Sequence, residues 1–75
     1  MQEFEIKSYG FAELAGLYRP NLSSKNAMRT LKSWMTRTPG LLNELKATGF
    51  NPLQIRTLTP RQVAIIVRFL GEPLG

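Results

Sequence analysis

The 75-residue chain contains no cysteine and no histidine. Zinc fingers, thiol chemistry, Ser-His triads and imidazole acid–base catalysis are therefore excluded. Acids are scarce as well. Aspartate is absent, and the five carboxylates are Glu3, Glu5, Glu13, Glu44 and Glu72. They are scattered, which argues against a calcium loop or a paired-carboxylate hydrolase. No run approaches the roughly 18 apolar residues of a membrane-spanning helix. The start, Met1-Gln2-Glu3-Phe4-Glu5, is acidic and lacks the apolar stretch of a secretory signal, so a cytoplasmic location is the default expectation. Internal repeats, low-complexity tracts and linkers are missing too. No cofactor, metal or small-molecule substrate is implied, and no residue constellation points to an enzyme.

What is present suffices for one small domain spanning 1–75. Apolar residues make up 43% of the chain and include Trp34, two tyrosines and four phenylalanines. That supports a modest core. A chain this short buries only about 60–65% of its unfolded surface, which leaves little to shape a catalytic cleft. The net charge is +5, and its placement matters more than its size. Between Glu13 and Glu44 lie five bases and no acid: Arg19, Lys25, Arg29, Lys32 and Arg37. The other five bases, Lys7, Lys46, Arg56, Arg61 and Arg68, match the five acids in number, so the whole excess sits in one segment. Such concentration is the footprint of a polyanion binder. The plainer alternative is a solvated, solubilising face.

Local patterns predict a mainly α fold, with four short helices and a small two-stranded antiparallel sheet. Phe4-Glu5-Ile6-Lys7 alternates apolar and polar residues and reads as a half-buried strand, followed by a Ser8-Tyr9-Gly10 turn. Phe11 to Tyr18 reads as a first helix with Gly10 as N-cap and Glu13 in its first turn, ended by Pro20. Ser23 or Ser24 caps a second helix to about Thr36. At helical spacing Ala27, Met28, Leu31, Trp34 and Met35 share one sector. Lys25, Arg29, Lys32 and Thr36 fall opposite, flanked by Asn26, Thr30, Ser33 and Arg37.

Thr38-Pro39 reads as the N-cap and first residue of a third helix, about 39–47, with Gly49 suited to the left-handed position after it and Phe50 to the accompanying apolar contact. Leu53 to Thr57 alternates again and reads as a second strand, pairing Leu53 and Ile55 with Phe4 and Ile6. Thr59-Pro60-Arg61-Gln62 is a capping box for a fourth helix, 60–70, with Leu58 and Val63 as a hydrophobic staple and Gly71 as the stop. Its apolar residues cover most of its circumference, so a homodimer contact through Ile65, Ile66 and Phe69 is one expectation.

Two helices joined by a Pro-containing turn, the second amphipathic and basic, form a helix-turn-helix candidate over about 11–36. A recognition helix buries one side and presents donors on the other. Ser24, Lys25 and Asn26 would lie at its N-terminus, where free N–H groups and the helix dipole favour phosphate. Asn26, Arg29, Thr30 and Ser33 suit base edges: arginine for guanine, asparagine for adenine, hydroxyls for either. Lys25, Lys32 and Arg37 suit phosphates, with Arg56 as a further basic contact from the strand. The partner expected is double-stranded DNA.

Thr30-Leu31-Lys32-Ser33-Trp34, Phe11-Ala12-Glu13-Leu14-Ala15 and Arg56 to Val63 resemble, in that order, the recognition helix, the first helix and the strand leaving the wing in MerR-type and excisionase-type winged helices. The resemblance implies DNA binding through the second helix and a wing. Departures are a longer first turn (Arg19 to Leu22), the extra helix, and an Asn51-Pro52 turn with no basic residue. A broader resemblance is carried by Ser8-Tyr9-Gly10, Glu13-Leu14-Ala15, Leu31-Lys32-Ser33-Trp34, Thr48 to Pro52, Thr59 to Val63 and Phe69 to Pro73. These look like a family of small bacterial proteins of unknown function, mostly from gut anaerobes. Two readings follow. The first is a small transcriptional regulator or excisionase-like accessory factor. The second is a protein-interaction module that dimerises or binds a partner through the fourth helix.

Overall fold

A computed structural model describes residues 4–73. The acidic Met1-Gln2-Glu3 start and the final two residues lie outside the described residues. In chain order the elements are β1 (Tyr9–Gly10), α1 (Phe11–Tyr18), α2 (Ser24–Arg37), α3 (Leu41–Lys46), β2 (Thr57–Leu58) and α4 (Pro60–Leu70). Four helices and a two-stranded antiparallel sheet are the expected class. Among the described residues no helix is long and apolar enough to cross a membrane.

The helices start and stop where local chemistry says. The Gly10 N–H donates to the Glu13 carboxylate at 3.3 Å at the start of α1. The Ser23 hydroxyl accepts from the Asn26 N–H at 3.3 Å and caps α2. In α4 the Thr59 N–H donates to Gln62 Oε1 at 3.0 Å, and the Gln62 N–H donates back to Thr59 Oγ1 at 3.2 Å. This reciprocal pair satisfies two donors that the first turn would otherwise leave free. The Gln62 amide also donates to Thr48 Oγ1 at 2.9 Å, and Thr48 Oγ1 donates to the Leu45 carbonyl at 2.6 Å. A half-buried polar chain thus fastens the start of α4 to the end of α3.

α3 begins two residues later than the Thr38-Pro39 pattern suggests. Thr38 belongs to the preceding helix: its hydroxyl and its N–H both donate to the Trp34 carbonyl, at 2.7 and 3.0 Å. Pro39 and Gly40 form a turn, and Gly40 is the N-cap at φ 85°. That left-handed conformation suits glycine and cannot continue a right-handed helix.

The sheet is shorter than expected and elsewhere. Tyr9 pairs with Leu58 and Gly10 with Thr57. Phe4 to Lys7 is not a strand. The Tyr9 hydroxyl donates to the Glu5 carbonyl at 2.8 Å, and Phe4 stacks on the Tyr9 ring at 5.5 Å, so the segment folds back on Tyr9. Leu53 and Ile55 are not a strand either. Asn51 Oδ1 accepts from the Leu53 N–H at 3.0 Å and its carbonyl accepts from the Gln54 N–H at 3.0 Å, which bends the chain into an Asx-type turn. Leu53 is 85% exposed, where the strand reading had it paired inward.

The core gathers Leu14 and Ala15 from α1, Ala27, Leu31 and Met35 from α2, Leu41 and Leu45 from α3, and Val63 and Ile66 from α4. Tyr9, Phe11, Phe50 and Leu58 close it. α1 packs on α2, and α3 on α4. Ile66 is 0% exposed, so it cannot belong to the surface patch expected with Ile65 and Phe69, which are half-buried. The cause is plain in α4: Val63 and Ile66 form its inner line, and the flanking apolar residues pack partly against the same core.

Leu31→Ala should cost about 2–5 kcal/mol, because it leaves a cavity at a fully buried site. Leu53→Ala should stay within about 0.5 kcal/mol of the parent. Urea midpoints check both; comparable losses would contradict this division of core and surface.

Candidate nucleic-acid interface

The basic helix does not stand alone. α2 and residues 53–56 face each other across an open groove of about 530 Å³. Lys25, Met28, Arg29 and Lys32 line it from α2. Their spacing places them on one helical face. Leu53, Gln54, Ile55 and Arg56 line it from the other segment, with Phe11 between. The placement has an identifiable cause. The Phe11 N–H, one of the free donors at the start of α1, reaches the Arg56 carbonyl at 2.7 Å. That bond continues the β1–β2 ladder and holds Arg56 beside the two helices.

Four cations line this groove and no acid does. Lys25, Arg29, Lys32 and Arg56 are all exposed, and none makes an ion pair among the described residues. The acids act elsewhere. Glu13 accepts from the start of α1, and Glu44 pairs with Arg68 between α3 and α4. The groove is also partly apolar, with Phe11 buried and Met28 and Ile55 half-buried. It can therefore take a polyanion against its rim while offering apolar contact within.

The sequence expectations divide here. Lys25, Arg29, Lys32 and Arg56 converge. Asn26, Thr30, Ser33 and Arg37 occupy the neighbouring strip of α2, and Ser24 sits in its first turn, all outside the groove lining. Asn26 and Arg37 are exposed, whereas Thr30 and Ser33 are half-buried. Phe11, Met28, Leu53, Gln54 and Ile55 were not among the expected site residues. The readable signal for three of them was Asn51-Pro52, a turn that pushes the following side chains off any strand. Lys7 lies over the Tyr9 ring at 5.4 Å, away from the groove.

A family model described as a domain of unknown function, DUF4248, matches residues 5–73. The chain belongs to the DUF4248 family. No curated protein and no solved structure gave a match.

In this DUF4248 domain Trp34 is part of the packing. It meets Tyr18 edge-on at 6.1 Å, and Arg19 covers its ring at 5.9 Å. The Tyr18 hydroxyl donates to the Gly71 carbonyl at 2.6 Å and ties α1 to the end of α4. Burial, aided by nearby Glu72, pushes the Tyr18 hydroxyl up from 10.0 to about 12. The unfolded chain therefore loses this proton first, so the linked stability is intact below pH 10.0 and is lost as pH rises toward about 12. Tyr18→Phe should lower stability at pH 8 by about 1 kcal/mol through the lost hydrogen bond, and should flatten the decline between pH 9 and 11. Urea titrations at the three pH values check this; an unchanged alkaline slope would remove Tyr18 from the linkage.

Proposed function

We propose that the domain binds duplex DNA, with α2 entering the major groove and the groove between α2 and residues 53–56 gripping a phosphate strand. The biological setting that fits is a small transcriptional regulator or an excisionase-like accessory factor. One observation carries the reading: Arg56, remote in sequence, joins Lys25, Arg29 and Lys32 around a single groove with no acid in its lining. A merely solvated basic face needs no second wall.

Roles follow from chemistry. Lys25, Lys32 and Arg56 grip phosphates, which gives affinity without sequence information. Arg29, mid-helix, suits the paired acceptors of guanine, and Asn26 on the adjoining strip suits adenine. Arg37 extends the phosphate contacts at the far end of α2. One such domain reads few bases, so useful specificity calls for two copies or a partner.

The second reading, a protein contact through α4, has a smaller observation behind it. Ile65 lies with Ala47, Thr48 and Ala64 in a hollow of about 380 Å³ rimmed by Glu44, Arg61 and Arg68. The DNA reading has the stronger support because its groove gathers unpaired charge of one sign.

Fluorescence anisotropy with a labelled random duplex tests it. Four phosphate contacts imply a loss of affinity on the order of 100-fold between about 50 and 200 mM salt. The Arg29→Glu/Lys32→Glu double variant should not bind, and Arg56→Ala should reduce the log–log salt slope by about 1. No binding by the parent protein at the lower salt would overturn the proposal and favour the α4 contact.

A further inference from the structure

Leu53 is an exposed aliphatic side chain at 85% exposure, and its surroundings are unusual. Scattered exposed leucines are ordinary. This one lines the same groove as Phe11, Met28 and Ile55. It is held out by its turn: Asn51 accepts from the N–H groups of both Leu53 and Gln54, at 3.0 Å each, and Pro52 restricts the chain between them. The stretch from Ala47 to Ile55 carries no charge, so the turn has no cation with which to grip phosphate. Its tip instead offers an apolar side chain flanked by Asn51 and Gln54.

We propose that Leu53 is a wedge that enters the DNA minor groove and parts a base step, kinking the duplex. The inference rests on the DNA reading above. With α2 in the major groove, the phosphate strand lies in the groove between α2 and residues 53–56. The turn across that strand then meets the neighbouring minor groove. That groove presents acceptors that an amide such as Gln54 can meet, and an apolar wedge there parts stacked bases. Arg56, on the same wall, anchors the strand the turn crosses. The apolar lining and the charged rim then have separate tasks, in stacking and in phosphate contact.

The test uses the intact protein with end-labelled duplexes read by energy transfer, together with anisotropy. One duplex carries a central TA step or mismatch, and the other a stiff A-tract. The parent protein should bend the first by roughly 20–90° and bind it about tenfold more tightly than the second. Leu53→Ala should abolish the bend and the preference while keeping the salt dependence, which belongs to the phosphate-gripping cations Lys25, Lys32, Arg37 and Arg56. Leu53→Met, another apolar wedge, should restore both. Urea midpoints for these variants exclude misfolding as the cause. If the parent binds with the expected salt slope but leaves the duplex straight, or if Leu53→Ala bends it equally, the wedge is wrong and the DNA reading stands. If the parent does not bind duplex DNA at low salt, both fall.

Discussion

One backbone hydrogen bond, from the Phe11 N–H to the Arg56 carbonyl, fastens the second wall of the groove to the start of α1. The two-residue ladder it extends is far too short to be stable by itself. It persists because Tyr9, Phe11 and Leu58 are buried beside it. The core therefore holds the ladder, the ladder holds Arg56, and Arg56 meets the bases of α2. A substitution that loosened Leu58 or Phe11 would part Arg56 from the charges of α2 without touching any of them.

The charges of α2 are tolerated rather than stabilising. Its first turn holds Lys25 and no acid, although the helix dipole favours an anion there. Lys25 with Arg29, and Arg29 with Lys32, are like-charge neighbours at helical spacing, each destabilising by about 0.2–0.5 kcal/mol. Together these terms cost about 1 kcal/mol. A single fully buried leucine of the same helix, Leu31, offsets more than that. The helix keeps an arrangement that is locally unfavourable because its inner face is strong enough to carry it, and a bound polyanion would offset the repulsion.

Legibility in the sequence followed the range of the interactions. The serine cap of α2, narrowed to Ser23 or Ser24, the Thr59–Gln62 pair and the Gly49-Phe50 exit act within a few residues, and each was readable from its neighbours. Thr38 misled because two local uses competed: its hydroxyl closes α2 and does not open α3. The strands misled because alternation over four residues is weaker than a specific bond. The Asn51 side chain and the Tyr9 hydroxyl each hold the chain off a ladder. In the candidate site, the basic strip of α2 was visible as periodicity. Of its partner wall only Arg56 was, since Leu53, Gln54 and Ile55 reach the groove through a turn and a distant hydrogen bond. Thr30 and Ser33 belong to the same amphipathic pattern and are half-buried beside the groove rather than in its lining.

The turn itself is better fixed than its exposure suggests. On its N-terminal side Phe50 is buried and its N–H reaches the Leu45 carbonyl at 3.4 Å, while Thr48 is held by Gln62 of α4. On its C-terminal side Arg56 and Leu58 are fastened by the ladder and the core. Residues 51–55 thus span two fixed posts, with their own bonds to Asn51 between. A short excursion held at both ends and in the middle has little conformational entropy left to lose on binding. This gives the capping box of α4 a second consequence: the pair that starts the last helix also positions the wall of a groove on another face of the molecule, which is why that helix can influence the groove without lining it.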